Sequence, residues 1–288
     1  MKKFELTTEF ITNAIGKKLF RIKALVEFGS VKAGELGGYA EKEENISQDG
    51  NAWVSGDARV SGDARVSGNA WVSDNAWVSG DARVSGNAWV SDNAWVSGDA
   101  KVSDNAKVSD NAKVSGNAWV YGDAKVSDNA WVSGNAKVSD NAWVSGNAWV
   151  YGDTEVYGNA RVYGDAKVSD NARVSGDAKV SDNAKVSDNA KVSGNARVSG
   201  DAKVSGNARV YGDADYALVK GFGTEFRCTT FYRDKNKKIM VNCGCFHGDL
   251  EAFRKQVKET RSGKIAKEYL MIADLMEYHF ASEDSSDE

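Results

Sequence analysis

A six-residue pattern of hydrophobic and polar positions runs through more than half of the chain. From residue 52 to residue 210 the sequence reads Ala-X-Val-Ser-(Gly/Asp)-(Asn/Asp) without insertion or deletion, with Thr154 replacing one Ala and Tyr replacing four Ser and, at Tyr211, the Ser position that follows the last Val. In an extended backbone, Ala and Val point to one side and X points to the other. Val favours extended backbone, whereas Gly, Asp and Asn tolerate tight turns. Each hexapeptide is therefore predicted to form a short strand followed by a corner.

Strands this short are stable only if the chain winds on itself, so that each strand pairs with the equivalent strand one coil later. The motif Val54-Ser-Gly-Asp-Ala58-Arg resembles the hexapeptide-repeat superfamily of left-handed parallel β-helices, best known from bacterial acyltransferases. That resemblance implies a triangular coil of three hexapeptides. The expected fold is mainly β, a left-handed parallel β-helix of about nine coils and about 43 Å.

The outward X positions carry all nine Trp of the protein, one Glu (Glu155) and seventeen Lys or Arg. Coils of three hexapeptides would align these side chains along three faces. The first face would carry Trp53, Trp71, Trp89 and Trp143, and the second would carry Trp77, Trp95, Trp131 and Trp149. The third would carry Arg65, Arg83, Lys101, Trp119, Lys137, Glu155, Arg173, Lys191 and Arg209. All Trp precede residue 150, and every X from residue 161 onward is basic.

Two interpretations of these faces remain open. Exposed aromatic ladders are typical of partner-binding surfaces, and we expect a protein partner, with nucleic acid or glycan as the alternative. The candidate binding residues are the eight Trp of the first two faces together with Arg161, Lys167 and Arg173. Alternatively, the Trp rings stack on one another and on neighbouring cations, and corner carboxylates neutralise the basic half.

The remaining composition argues for a binding or structural protein. The acyltransferases that the repeats resemble use a His and protruding loops, whereas residues 51–216 contain no His and the repeats no insertion. We therefore expect no catalysis and no cofactor; an acyltransferase-like protein assigned by fold is the alternative. The net charge of −4 gives no general attraction to nucleic acid or anionic membranes. No apolar run is long enough to span a bilayer, so the cytoplasm is the expected compartment.

Residues 1–50 differ in composition from the repeats. Segments 4–10 and 19–28 are predicted strands around the turn Asn13-Ala-Ile-Gly16. This unit should cap the first coil, whose open strand edges would otherwise recruit other chains. The opening resembles that of uncharacterised bacterial and phage hexapeptide-repeat proteins. A phage or mobile-element origin is expected, because near-identical repeats suit expansion by recombination.

The repeats are assigned to a domain at 51–216, followed by a small ββαα domain at 217–280 and a disordered acidic tail at 281–288. The predicted strands cover 225–233 and 238–243, and the predicted helices cover 249–260 and 264–280. This unit resembles a small domain of unknown function in phage and Gram-positive bacterial proteins. The resemblance is carried by Cys243-Gly-Cys-Phe-His-Gly and Ala266-Lys-Glu-Tyr.

A candidate zinc site lies in this C-terminal hairpin. Cys243, Cys245 and His247 alternate along the chain, and a four-residue turn would place Cys228 roughly opposite Cys243. Three thiolates and one imidazole are a suitable ligand set for zinc. In the alternative interpretation the Cys side chains pack the hairpin core and His247 caps the next helix.

Together these features predict a non-catalytic scaffold or adaptor. Its stiff rod would present Trp and Lys/Arg ladders, and its C-terminal domain would make a second contact.

Overall fold

The computed structural model of the protein describes residues 1–223 and 226–281. The predicted disordered tail, apart from Ala281, lies outside this part of the chain. The N-terminal unit is an antiparallel hairpin of β1 (Phe4–Thr12) and β2 (Lys18–Ala24), and β2 pairs with β3 (Leu36–Ala40). A short 3₁₀ helix follows at Glu43–Asn45.

Each hexapeptide forms one two-residue strand that consists of X and Val, and these 27 strands are β4 to β30 in chain order. Each pairs in parallel with the equivalent strand three hexapeptides away, as for Val90 with Val108. Three flat faces result. Face 1 contains Trp53–Val54, Trp71–Val72, Trp89–Val90, Lys107–Val108, Lys125–Val126, Trp143–Val144, Arg161–Val162, Lys179–Val180 and Arg197–Val198. Face 2 contains Arg59–Val60, Trp77–Val78, Trp95–Val96, Lys113–Val114, Trp131–Val132, Trp149–Val150, Lys167–Val168, Lys185–Val186 and Lys203–Val204. Face 3 contains Arg65–Val66, Arg83–Val84, Lys101–Val102, Trp119–Val120, Lys137–Val138, Glu155–Val156, Arg173–Val174, Lys191–Val192 and Arg209–Val210.

The predicted fold class is confirmed: the chain is a β-solenoid of about ten turns with a small C-terminal domain. The turn beyond the expected nine starts at β3, which extends face 2 by one parallel strand. Tyr39 pairs with Arg59 and Ala40 with Val60, so the two strands are further apart in sequence than paired repeats are. Because this turn has a longer period and lacks the Ala-X-Val motif, the repeat pattern did not identify it.

The interior of the solenoid is filled by the small apolar residues that the pattern placed there. Every repeat Val and Ala is fully buried, as is Thr154, whose hydroxyl donates to the carbonyl of Tyr151 at 2.6 Å. Apolar burial of this kind contributes the main favourable term in folding. The narrow core therefore fixes which side chains remain outside: the X residues and the corners.

The corners explain why the first residue of each pair is always Gly or Asp. From Gly56 to Gly206, each has a positive φ, between 56° and 77°. Gly adopts this backbone without cost, and Asp is among the few other residues that tolerate it. Asp also adds a contact between coils: Asp104 Oδ2, for example, accepts a hydrogen bond from the backbone N–H of Gly122 in the next coil at 3.1 Å.

Side chains cap the first turn of the solenoid. Lys3 Nζ donates to the carbonyls of Gly50 and Ala52, and Asn45 Nδ2 donates to those of Gly62 and Ala64, at 2.9–3.3 Å. These contacts satisfy backbone acceptors that have no preceding coil.

The C-terminal domain follows a 3₁₀ turn at Asp213–Asp215. Its antiparallel sheet has the order β31 (Tyr216–Phe222), β32 (Arg227–Arg233), β33 (Ile239–Cys243) and β34 (Phe246–Asp249). Helices α1 (Leu250–Thr260) and α2 (Gly263–His279) pack on it around a core that includes Phe231, Val241, Phe253, Ile272 and Met276.

The predicted hairpin and both helices are present, but the order ββαα is incomplete because two further strands flank the hairpin. Tyr216–Phe222 directly follows the last repeat, and Phe246–Asp249 is very short, so neither stands out as a strand in the sequence. Among the described residues, no helix is both apolar enough and long enough to cross a membrane.

Candidate functional site

The aromatic ladders are aligned as the repeat period predicted. On face 1, Trp71 lies between Trp53 and Trp89 in parallel register. On face 2, Trp77 pairs with Trp95, and Trp131 pairs with Trp149. Trp89, Trp95, Trp119, Trp131, Trp143 and Trp149 are 39–48% exposed. Trp71 and Trp77 are half-buried.

Trp53 does not belong to this exposed set, and its prediction as a surface binding residue is wrong. The ring is fully buried beneath the N-terminal hairpin, where it contacts Phe28 and Phe4 with centroids 5.4 Å and 6.5 Å away. Gly37 leaves room for the indole, because a Cβ there would lie 2.6 Å from the ring. The hairpin covers the first rung of face 1, so the accessible ladder on this face begins at Trp71.

Seven indole N–H groups of the ladders donate to a Ser hydroxyl within the protein. Trp71 donates to Ser55 Oγ at 3.1 Å, and the same bond to the equivalent Ser of the preceding coil recurs along the rod. The other donors are Trp77, Trp89, Trp95, Trp119, Trp131 and Trp143. Each of these rings therefore leans back over the preceding coil, and its polar atom is held by that coil.

Face 2 carries a continuous column of aromatic and cationic side chains, which we call the face-2 column: Trp77, Trp95, Lys113, Trp131, Trp149 and Lys167. Trp77 and Trp95 are stacked with 5.3 Å between centroids and 4° between planes. Lys113 Nζ lies 6.0 Å from the ring centroids of both Trp95 and Trp131. Trp131 and Trp149 meet edge to face at 5.5 Å, and Lys167 Nζ lies 4.7 Å from the Trp149 centroid.

The three cations predicted as binding residues all have partners in the rod. Arg161 lies 6.0 Å from the Trp143 ring on face 1, and Lys167 ends the face-2 column. Arg173 Nε lies 3.1 Å from a carboxylate oxygen of Glu155 on face 3. Arg161 and Lys167 thus lie against Trp rings, and the charge of Arg173 is paired with a carboxylate. These contacts agree with the alternative interpretation, in which the outward side chains pack on one another.

Glu155 is the single carboxylate among the outward X positions. It lies between Lys137, at 3.9 Å, and Arg173 in neighbouring coils of face 3. Tyr121 and Tyr157 flank a shallow pocket of about 280 Å³ over Lys137. Glu155 directly follows Thr154, which also departs from the repeat, so both departures lie in the same coil.

The predicted zinc-ligand set is not assembled. Thr229, and not Cys228, lies opposite Cys243, and its hydroxyl donates to Cys243 Sγ at 3.1 Å. The predicted register was wrong by one residue, which turns Cys228 to the other side of the sheet. Burial also raises the pKa of the Cys228 thiol, which opposes the thiolate that zinc binds. In the described part of the chain, no three His, Cys, Asp or Glu side chains are grouped to hold a metal ion.

His247 is neither part of a zinc-ligand cluster among the described residues nor the cap of the following helix, which were the two roles predicted for it. Asp249 caps α1 by accepting from the N–H of Ala252, whereas His247 Nδ1 lies 2.6 Å from Asn242 Oδ1. Asn242 Nδ2 donates to the carbonyl of Lys203 in the last strand of face 2 at 2.8 Å. On the same strand, the N–H of Lys203 donates to Thr230 Oγ1 at 2.9 Å. Side chains of the C-terminal sheet thus replace the missing next coil.

A shallow, solvent-open pocket of about 420 Å³ lies at this junction between face 2 and the C-terminal sheet. The solenoid contributes Lys185, Asp188 and Lys203, and the C-terminal sheet contributes Phe246 and His247. Sequence reasoning missed this pocket because the two halves of its lining come from separately predicted domains. The alternation of Cys243, Cys245 and His247 in the sequence predicts metal binding, and it does not indicate that His247 lines a pocket together with Lys203.

Comparison with known families identifies the repeats as similar to a β-solenoid family model. A model described as "YdcK Beta solenoid repeat" matches residues 58–74, 64–80, 76–92, 82–98 and 136–152. These segments lie within the repeats, and the description of the family agrees with the β-solenoid that the structure shows. No curated protein matches the chain in sequence.

Proposed function

We propose that this β-solenoid repeat protein is a non-catalytic adaptor, whose face-2 column is the principal docking surface for a protein partner. The column contains four Trp in six successive rungs, which is the longest connected run of aromatic contacts described above. At the usual spacing of parallel strands it extends about 24 Å along the rod. Trp is among the residues that contribute most to protein–protein affinity.

The contacts within the column favour a protein over a stacked base or sugar. Trp77 and Trp95 cover one face of each other, and Lys113 lies over Trp95 and Trp131. Recognition by stacking requires a free ring face. A base or sugar would first have to displace these neighbours, whereas a flat protein surface can contact the outward ring edges and the Lys stems without rearrangement.

The rod supplies a fixed spacing between its contacts because each coil is bonded to the next. Backbone hydrogen bonds of about 2.9 Å link equivalent strands, as from Trp95 N–H to the Ala112 carbonyl and from Lys113 N–H to the Ala130 carbonyl. Rigid presentation lowers the ordering cost of binding. This supports a scaffold role in which the column keeps its geometry before the partner arrives.

Support for a non-catalytic role comes from the repeats themselves. Their functional groups recur from coil to coil, and both His residues of the protein, His247 and His279, lie after the solenoid. A general base must reach a specific substrate atom in a site that differs from its surroundings. Coils of nearly identical composition favour an extended binding surface instead.

The proposal is tested by removing Trp from one face at a time in the full chain. The variant Trp95→Ser/Trp131→Ser interrupts the face-2 column, and Trp119→Ser/Trp143→Ser removes two rings of similar exposure from faces 3 and 1. Proteins that co-purify with each form are compared quantitatively. We expect specific partners to be lost from the face-2 variant and retained by the control.

An identical partner set for all three proteins would refute the face-2 assignment. Fluorescence anisotropy with single-stranded oligonucleotides supplies the second arm. Saturable oligonucleotide binding that only the face-2 variant loses would show that the column binds nucleic acid and not protein.

A further inference from the structure

The junction pocket combines cationic, imidazole and aromatic side chains that the docking surface does not use. It lies at the end of face 2, where the last two strands of that face meet β33 and β34. Ligand sites occur preferentially where two structural units meet, because the cleft between them can be lined from both sides. None of the residues that line this pocket belongs to the face-2 column.

Lys185 and Lys203 give the pocket its positive side. The two residues are direct neighbours in adjacent parallel strands, so their side chains leave the face side by side. Like charges opposite one another in a sheet are destabilising. Among the described residues neither ammonium has a carboxylate within salt-bridge distance, so the pair is not neutralised by the part of the chain that the structure describes.

The carboxylate in the pocket lining is already engaged. Asp188 Oδ2 accepts a hydrogen bond from the N–H of Gly206 at 2.8 Å and contacts the hydroxyl of Ser187 at 3.4 Å. These bonds hold the carboxylate at the corner of the coil. One carboxylate against two ammonium groups leaves the pocket with an excess of positive charge.

His247 is held in one orientation at the edge of the pocket. Asn242 Nδ2 donates to the Lys203 carbonyl, so its Oδ1 is the atom that faces His247 Nδ1. A carbonyl oxygen can only accept, which assigns the proton to Nδ1 and leaves Nε2 without that proton in the neutral ring. Phe246, in the same strand, supplies an apolar wall.

We propose that this pocket binds a phosphorylated small molecule. Lys185 and Lys203 would bind the phosphoryl group, because ammonium side chains are common phosphate ligands. Phe246 would contact the organic part, and His247 would add a polar contact beside it. The volume of about 420 Å³ accommodates more than a phosphate ion alone.

The test is calorimetric titration of the full chain with inorganic phosphate, pyrophosphate and phenyl phosphate. The variant Lys185→Gln/Lys203→Gln removes both ammonium groups of the pocket. Lys107→Gln/Lys125→Gln is the matched control. It removes two Lys that are likewise direct neighbours in adjacent parallel strands, but on face 1 and far from the C-terminal sheet. Circular dichroism checks that both variants keep the solenoid fold.

We expect saturable binding of pyrophosphate and phenyl phosphate to wild type and control, and at least a tenfold loss in the pocket variant. Phenyl phosphate should bind more tightly than inorganic phosphate, and Phe246→Leu should reduce that difference. The absence of saturable binding to wild type would overturn the proposal. Equal affinities in all forms, or an equal loss in both double variants, would also overturn it.

Discussion

The indole ring of Trp77 lies parallel to that of Trp95, with 5.3 Å between centroids and 4° between planes. Two such closely spaced chromophores couple electronically, so their circular dichroism in the near and far ultraviolet should contain a paired signal. Replacing either ring by Phe removes one member of the pair. Trp77→Phe and Trp95→Phe should therefore produce the same difference spectrum, and Trp119→Phe, whose ring contacts Tyr121, should produce a different one. Unrelated spectra for the first two variants would contradict the stacked arrangement.

The Asn242 side chain should stabilise the C-terminal end of the solenoid. Asn242→Ala removes the donor to the Lys203 carbonyl and the partner of His247. Leaving a buried polar group unsatisfied costs about 1–3 kcal/mol. We expect hydrogen exchange to accelerate first at the strand Lys203–Val204 and to remain slow in the middle of the rod.

The matched control is Asn236→Ala in the exposed turn between β32 and β33, which should leave exchange at Lys203 unchanged. Acceleration spread evenly over all coils by Asn242→Ala would argue against a local end cap.

The left-handed corners predict an unusual order of substitutions at Asp128. Its φ is 59°, and its Oδ2 accepts from the N–H of Gly146 at 2.9 Å. Asp128→Ala loses this bond and keeps a Cβ in the left-handed region, which costs about 1–2 kcal/mol relative to Gly. Asp128→Gly loses the bond without the strain. In chemical denaturation the Gly variant should be the more stable of the two, and the reverse order would contradict the corner geometry.

Lys3 should make stability depend on pH at the N-terminal end. Burial lowers the pKa of its ammonium to about 8 in the folded protein, against an ordinary value of 10.5, and the charge of Asp49 only partly opposes this. Between these values the unfolded chain binds more protons, so the free energy of unfolding contributed by Lys3 rises with pH. Below pH 8 both states are protonated and this contribution is constant.

The measurement compares wild type with Lys3→Met, which keeps an unbranched chain but cannot titrate. The difference in unfolding free energy should shift in favour of wild type from pH 8 towards pH 10.5. A difference that is constant over this range would show that Lys3 titrates as it does in the unfolded chain.

Most of the solenoid could be predicted from the sequence because its determinants are local and repeated. The alternation of Ala, X and Val decides which side chains are inside, and the coil of three hexapeptides decides which X residues align, as for Trp77 and Trp95. These inferences need no knowledge of distant parts of the chain. The extra first turn escaped prediction because Tyr39 and Ala40 lack the motif and pair at a longer offset.

The contacts at the N-terminal and C-terminal ends of the solenoid could not be predicted from the repeat pattern. Nothing local distinguishes Trp53 from Trp71; its burial depends on Phe4 and Phe28, which approach only in the folded structure. Likewise, a one-residue change of register separates Cys228 from Cys243. The junction pocket depends on Asn242 meeting Lys203, which lies far from it in sequence. Such long-range pairings are set by tertiary packing, which composition and periodicity do not encode.

The difference between the hexapeptide motif and the coil that contains three of them has a consequence for changes in chain length. Removal of three hexapeptides would shorten the rod by one coil and leave every later side chain on its original face. Removal of a single hexapeptide would keep every Val in the core and preserve the corners, yet it would transfer all later outward residues to the adjacent face. The Trp77–Trp95 pair would survive such a deletion at residue 100, but Trp131 and Trp149 would no longer lie in line with it. The fold thus accepts the loss or gain of any whole number of hexapeptides, whereas the alignment of the outward side chains is kept only when that number is a multiple of three.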